Sequence, residues 1–173
     1  APLQAGRIVI GGQPLDDTSA SSLRQRMAWL GQKPHIFAGT VQANVSLGRP
    51  GVGAAEVRTA LWFTALGATV QAHAGAALGE GGTGLSGGEA VRLALARAVV
   101  QPQADLLLVD EPTAHLDRAT ADEVTEALLQ LAEGKTMLVA THDPVLAARL
   151  HRSVRLDDVA AARALQADSE ATS

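Results

Sequence analysis

The sequence predicts an α/β fold with a parallel sheet, and three observations carry that expectation. Two aliphatic runs, residues 106–109 and 136–140, have the length and composition of buried strands. Between them, residues 120–132 alternate apolar and polar positions as an amphipathic helix does, and strand, helix, strand is the unit from which parallel sheets are built. Upstream, residues 34–100 read as mainly helical, which predicts a helical region set beside the sheet.

Residues 1–33 read as strands with polar turns, from Arg7-Ile8-Val9-Ile10 to Met27-Ala28-Trp29-Leu30, with Gln32 just past the second strand. A helix is expected over 40–47 and a longer one over 54–66, whose Trp62 and Phe63 are assigned to helix packing. Next comes Gly79-Glu80-Gly81-Gly82-Thr83-Gly84-Leu85-Ser86-Gly87-Gly88-Glu89. Ser86-x-x-Glu89 is a capping box, so a helix starts at Ser86 and runs on over 89–100 until Pro102 breaks it. Two glycines inside that first turn each cost about 1 kcal/mol relative to alanine. Close approach of a phosphate to bare N–H groups at the positive end of the helix gives them a purpose.

From 101 to 158 strands and helices alternate. The strand 106–109 ends in the adjacent acids Asp110 and Glu111, and ligands in open α/β sheets bind at the carboxyl ends of strands. The strand 136–140 runs out towards His142. A last strand is expected over 153–156, a turn at Asp157-Asp158 and an Ala-rich tail over 159–173. Gly134-Lys135-Thr136 has the tail of a phosphate-binding loop, but position 129 is Leu where that pattern needs Gly, and the triplet precedes a strand. It is expected to be a turn.

Taken in order, these motifs resemble those of the nucleotide-binding domain of ABC ATPases. Leu85-Ser86-Gly87-Gly88-Glu89 matches the family signature, 106–110 the Walker B strand, Glu111 the catalytic glutamate, Ala114-His115-Leu116-Asp117 the D-loop, Thr141-His142-Asp143 the switch histidine and Gln32 the Q-loop. The resemblance implies a partial P-loop NTPase-like α/β domain with a mostly helical signature subdomain, binding ATP and Mg²⁺. It gives Asp110 and Gln32 to Mg²⁺, Glu111, His142 and Gln32 to catalysis, and Ser86, Gly87, Gly88, Glu89 and Asp117 to the nucleotide. The chemistry suits these types. Glu111 can polarise a water, neutral His142 can donate to a γ-phosphate, and the Gln32 amide can both accept and donate. Glu89 departs from the family's usual Gln and adds a charge at the helix start.

No Gly-x-x-x-x-Gly-Lys-Ser/Thr occurs in the 173 residues, and there is no Tyr to stack on adenine. The expectation is a fragment that begins after the P-loop helix and hydrolyses little ATP alone. Because ABC domains close head to tail, its signature is expected to complete a partner's site. Net charge is −4, without the basic footprint of a nucleic-acid groove. Cysteine is absent, which removes disulfides and thiolate metal sites.

The segment Lys33-Pro34-His35-Ile36-Phe37-Ala38-Gly39-Thr40-Val41-Gln42-Ala43-Asn44-Val45 and the acidic Glu80 loop resemble ABC exporters. Asp110 to Asp117, with Leu93-Ala94-Leu95-Ala96-Arg97-Ala98, is most similar to the CydD half of the CydDC exporter family. That resemblance implies cysteine or glutathione export for cytochrome bd assembly, a CydC-like second nucleotide-binding domain, and a transmembrane domain upstream in the same chain. It places the protein at the cytoplasmic face of the bacterial inner membrane. Two alternatives stand beside it: an ABC ATPase acting on ribosomes or DNA, and a non-catalytic ABC-like interaction module.

Overall fold

The computed structural model describes residues 6–72 and 77–155, in two compact units that divide after Thr141. In the first unit a short antiparallel hairpin pairs β1 (Val9–Ile10) with β2 (Gln13–Pro14). A helix follows, α1 (Ala20–Gln25), where only strands and turns were expected. Its start is legible in hindsight: Asp16 Oδ1 accepts from the N–H of Thr18 and Ser19, an Asx turn that aims the chain into the helix, and Leu23 buries its inner face.

The predicted parallel sheet is present. Strands β3 (Met27–Leu30), β4 (Leu106–Asp110) and β5 (Thr136–Ala140) lie in the order β3-β4-β5, both pairings parallel. One face is packed. Ala28, Leu30, Leu107 and Val109 point into a core shared with Val91, Ala94, Leu95 and Ala98 of α5 (Gly87–Val99) and Val124 and Leu128 of α6 (Arg118–Leu131). The other face is apolar too, which is why the β4 run is continuous. Trp29, Leu108 and Leu138 stand in register in one cross-strand row, with Trp29 66% and Leu138 65% exposed. The expected strand burial therefore holds for one face among the described residues.

The helical region forms as expected. Thr40 caps α2 (Val41–Ser46) by accepting from Ala43 N–H, α3 spans Ala54–Phe63 and α4 Gly67–Ala72, and their apolar sides meet Leu93, Ala96 and Val100 in a second core with Ile36, Val45 and Leu61. Phe63 packs against the sheet core, but Trp62 is 55% exposed and is not the core residue expected. Helix α5 feeds both cores at once, so it fixes the helical region against the sheet.

Gly134 adopts φ +71 and Lys135 Nζ donates to the Ala104 carbonyl, so Gly134-Lys135-Thr136 is indeed a turn into β5. In the second unit Asp143 caps α7 (Pro144–Ala148) by accepting from Val145 N–H. Residues 153–155 form no strand, and the expected turn at 157–158 and the tail lie outside the described residues.

Candidate functional site

Parallel strands end on the same edge of a sheet, and here that edge gathers three of the predicted residues. Gln32 follows the end of β3, Asp110 ends β4, and Glu111 comes next. Glu111 has φ +46, the left-handed region that non-glycine residues rarely occupy and that costs about 1–3 kcal/mol where it does occur. Two of its contacts reach the end of β5. Its N–H donates to the Ala140 carbonyl at 2.9 Å, one residue beyond the β4·β5 ladder, and its Oε2 accepts from Thr141 Oγ1 at 3.4 Å. The chain then turns through buried Pro112 and Thr113. This kink re-aims Glu111 away from the alternating pattern of the strand. His142 comes two residues after β5 and opens the second unit.

The second group of predicted residues lies at the N-termini of α5 and α6. The capping box at Ser86 is real: Ser86 Oγ accepts from Glu89 N–H at 3.3 Å, and Glu89 Oε2 accepts from Ser86 N–H at 2.7 Å. The N–H groups of Gly87 and Gly88, in the first turn, have no intrahelical acceptor. The two glycines then part company. A Cβ at Gly87 would meet nothing within 4 Å, whereas one at Gly88 would stand 2.6 Å from Thr120 Cγ2. Packing therefore gives no reason for Gly87, while Gly88 answers to helix packing, a reason the sequence did not disclose.

Asp117, assigned to the nucleotide, caps α6. Its Oδ1 accepts from Thr120 N–H at 3.0 Å and its Oδ2 from Thr120 Oγ1 at 2.7 Å. The Thr120 hydroxyl first, and the Thr120 N–H second, hold the Asp117 carboxyl below its ordinary value of 3.8. A lowered folded-state pKa means that the cap's stabilisation is complete above that ordinary value and is lost as the pH falls through the lower one. Asp117→Asn is expected to lower stability at neutral pH and to remove this part of the acid dependence. Melting temperatures measured along a descending pH series, variant against parent, would show the two curves converging in acid; parallel curves would refute the assignment.

The site fits a phosphate at the open Gly87 turn, where bare N–H groups and the Ser86 hydroxyl are available. For a divalent ion, the strand end supplies Asp110 and no group of three acidic or histidine ligands occurs among the described residues. That donor set suits Mg²⁺, which keeps several waters and is shared between one or two carboxylates and phosphate oxygens. A cavity of about 1080 Å³ lies elsewhere: Arg24, Trp29, Arg49, Arg97 and Gln101 line it, and none of the predicted site residues does.

Sequence reasoning missed the network that shapes residues 35–44. Asn44, 1% exposed, accepts from Phe37 N–H and donates to the carbonyls of Phe37 and Thr40. Arg97 reaches across from α5 to Asn44 Oδ1, the Asn44 carbonyl and the His35 carbonyl. Burial, and then the nearby Arg49 guanidinium, push Arg97 below its ordinary pKa. The network leaves Phe37 half-exposed, with His35 edge-on to it at 4.6 Å and the Arg97 guanidinium 5.9 Å from its ring centre. No separate sequence signal marks an asparagine as a loop organiser.

A parallel α/β core with a helical region, a signature turn and paired acids at a strand end defines an ABC-type ATPase domain. Comparison agrees: a family profile described as ABC transporter matches residues 1–114, and this chain belongs to that family. It is 36% identical over 140 residues to the glutathione/L-cysteine transport system ATP-binding/permease protein CydC of Escherichia coli, covering 80% of this chain and 24% of that protein. It is 37% identical over 138 residues to the CydD counterpart of Haemophilus influenzae, covering 79% and 23%. Among solved structures, a bacterial Atm1-family ABC exporter with ATP bound matches with a TM-score of 0.72 and 32% identity, over 80% of this chain and 25% of that one. The chain thus spans about a quarter of the length of these relatives.

Proposed function

We propose that these residues serve as the ATP-handling part of an exporter subunit that couples ATP hydrolysis to outward transport of cysteine or glutathione, with a role in cytochrome bd assembly. The observation that carries the proposal is the pairing of an open signature turn at Ser86–Gly87 with a pinned acid, Glu111, at the end of β4. Glu111 orients and deprotonates the attacking water, while Asp110 and Gln32 would hold Mg²⁺, which would offset charge on the phosphates. His142 donates to the γ-phosphate. Ser86 and the N–H groups of Gly87 and Gly88 read the phosphate of a nucleotide held by a second ABC domain, and Asp117 approaches the same junction. Bound ATP supplies the free energy; these residues position it and exclude idle water.

The cargo assignment rests on the relatives' printed names. CydC and CydD proteins match at nearly equal identity, so a subunit resembling either half, paired with the other, is the partner arrangement proposed. No helix among the described residues is long and apolar enough to cross a membrane. The proposed transmembrane partner segment docks beside the exposed Phe37 and His35, which would place this domain at the cytoplasmic face. Inverted membrane vesicles carrying the intact pair should take up labelled cysteine or glutathione only with ATP present. Uptake of neither, alongside intact ATP turnover, would reject the cargo and keep the ATPase.

A further inference from the structure

The contact between Gly88 and Thr120 cannot relax by a simple rotation. Thr120 Oγ1 donates to Asp117 Oδ2 at 2.7 Å, and turning the Thr120 methyl away from Gly88 would move that hydroxyl off its acceptor. A threonine has few staggered positions, and the one that makes the cap bond is the one that sets Cγ2 on Gly88. The same short stretch leads back to Glu111 through residues 112–116, with Pro112 and Thr113 buried on the way. The strand end and the α6 cap are therefore joined by a short stretch of chain, and the cap and the signature turn by the Thr120 side chain.

From this juxtaposition we infer that Thr120 is a positioning residue. It joins the Asp117 turn to the first turn of α5, so that a displacement of Asp117 moves Ser86 and Gly87 with it. The inference rests on the function proposed above, in which that turn reads a phosphate on a partner domain; Thr120 itself touches no nucleotide. It also means that Gly88 is a glycine because Thr120 is a threonine. A side chain held by a hydrogen bond on one side and a close contact on the other can pass a small displacement between them.

Four variants of the intact protein, assembled with its partner, test this: Gly88→Ala, Thr120→Ser, the double variant, and Thr120→Val. Serine keeps the hydroxyl and removes Cγ2, leaving an alanine Cβ at position 88 with Thr120 Cβ and Oγ1 at 3.8 and 3.9 Å, ordinary contacts. Gly88→Ala is expected to lower the melting temperature and to cut ATP turnover about tenfold or more, as overpacking does. The double variant should recover the melting temperature to that of Thr120→Ser alone, since the two changes are coupled through one contact. Thr120→Val keeps the methyl and loses the cap bond, so the melting temperature should fall modestly and kcat should fall about fivefold with KM for ATP nearly unchanged. A double variant that melts no better than Gly88→Ala would overturn the inference, as would an unchanged kcat in Thr120→Val. Absence of ATP turnover in the unsubstituted protein would instead reject the ATPase reading and the positioning role with it, a case set apart because the melting cycle needs no nucleotide.

Discussion

Glu111→Gln in the intact protein is expected to cut ATP turnover by about 10²–10⁴-fold, the usual worth of a general base, while nucleotide binding is kept. The substitution is nearly isosteric and leaves the backbone unchanged. The N–H bond to Ala140 at the φ of +46 does not depend on the carboxylate. An amide at this place can still accept from Thr141 Oγ1, so the local geometry should survive. What it cannot do is take a proton from water. Steady-state ATPase rates and equilibrium ATP binding, measured side by side, separate the two effects. Turnover within a few fold of the parent would remove Glu111 from the mechanism, and loss of binding with turnover would mean that it organises the site instead.

The second large effect falls on stability, away from the chemistry. Asn44→Leu should destabilise the protein by about 3 kcal/mol, because a buried donor or acceptor stranded by its partner costs about 1–3 kcal/mol and several are stranded together. Phe37 N–H, the Phe37 carbonyl and one Arg97 donor all lose the same partner, while the Thr40 carbonyl keeps the backbone N–H of residue 44. Leucine has the same branched skeleton and is larger, so none of the loss comes from a cavity and overpacking adds to it. Chemical denaturation gives the difference directly. A shift below about 1 kcal/mol would mean that water reaches these groups in the folded protein. Because the network holds the half-exposed Phe37 in place, the variant should also weaken assembly with the membrane part more than its stability loss explains.

Legibility differed by the kind of force involved. Strands β4 and β5 and helices α5 and α6 were visible because long apolar periodicities and a capping box are local and redundant; Ser86 and Glu89 announce each other three residues apart. Helix α1 was not, since it has six residues and takes its start from an Asx turn at Asp16. Trp62 was assigned to a core because aromatic residues in helices usually face one, yet its position on α3 puts it half in solvent. In the site, residue types and spacing pointed to Glu111 and Ser86, but the left-handed kink at Glu111 has no glycine to betray it. The reason for Gly88 lay 32 residues away at Thr120, a contact that only the packing of α5 on α6 creates.

The claim that the Ser86–Gly87 turn faces a nucleotide held by another domain is tested most directly by a thiol placed there. These 173 residues hold no cysteine, and Ser86 is exposed, so Ser86→Cys sets one reporter where the hydroxyl stood. In the intact protein, freed of any other thiol, the rate of maleimide labelling at position 86 should fall by about tenfold or more when ATP and Mg²⁺ are added with Glu111→Gln present to hold the nucleotide. Equal labelling rates with and without nucleotide, in a preparation shown to bind ATP, would contradict the account.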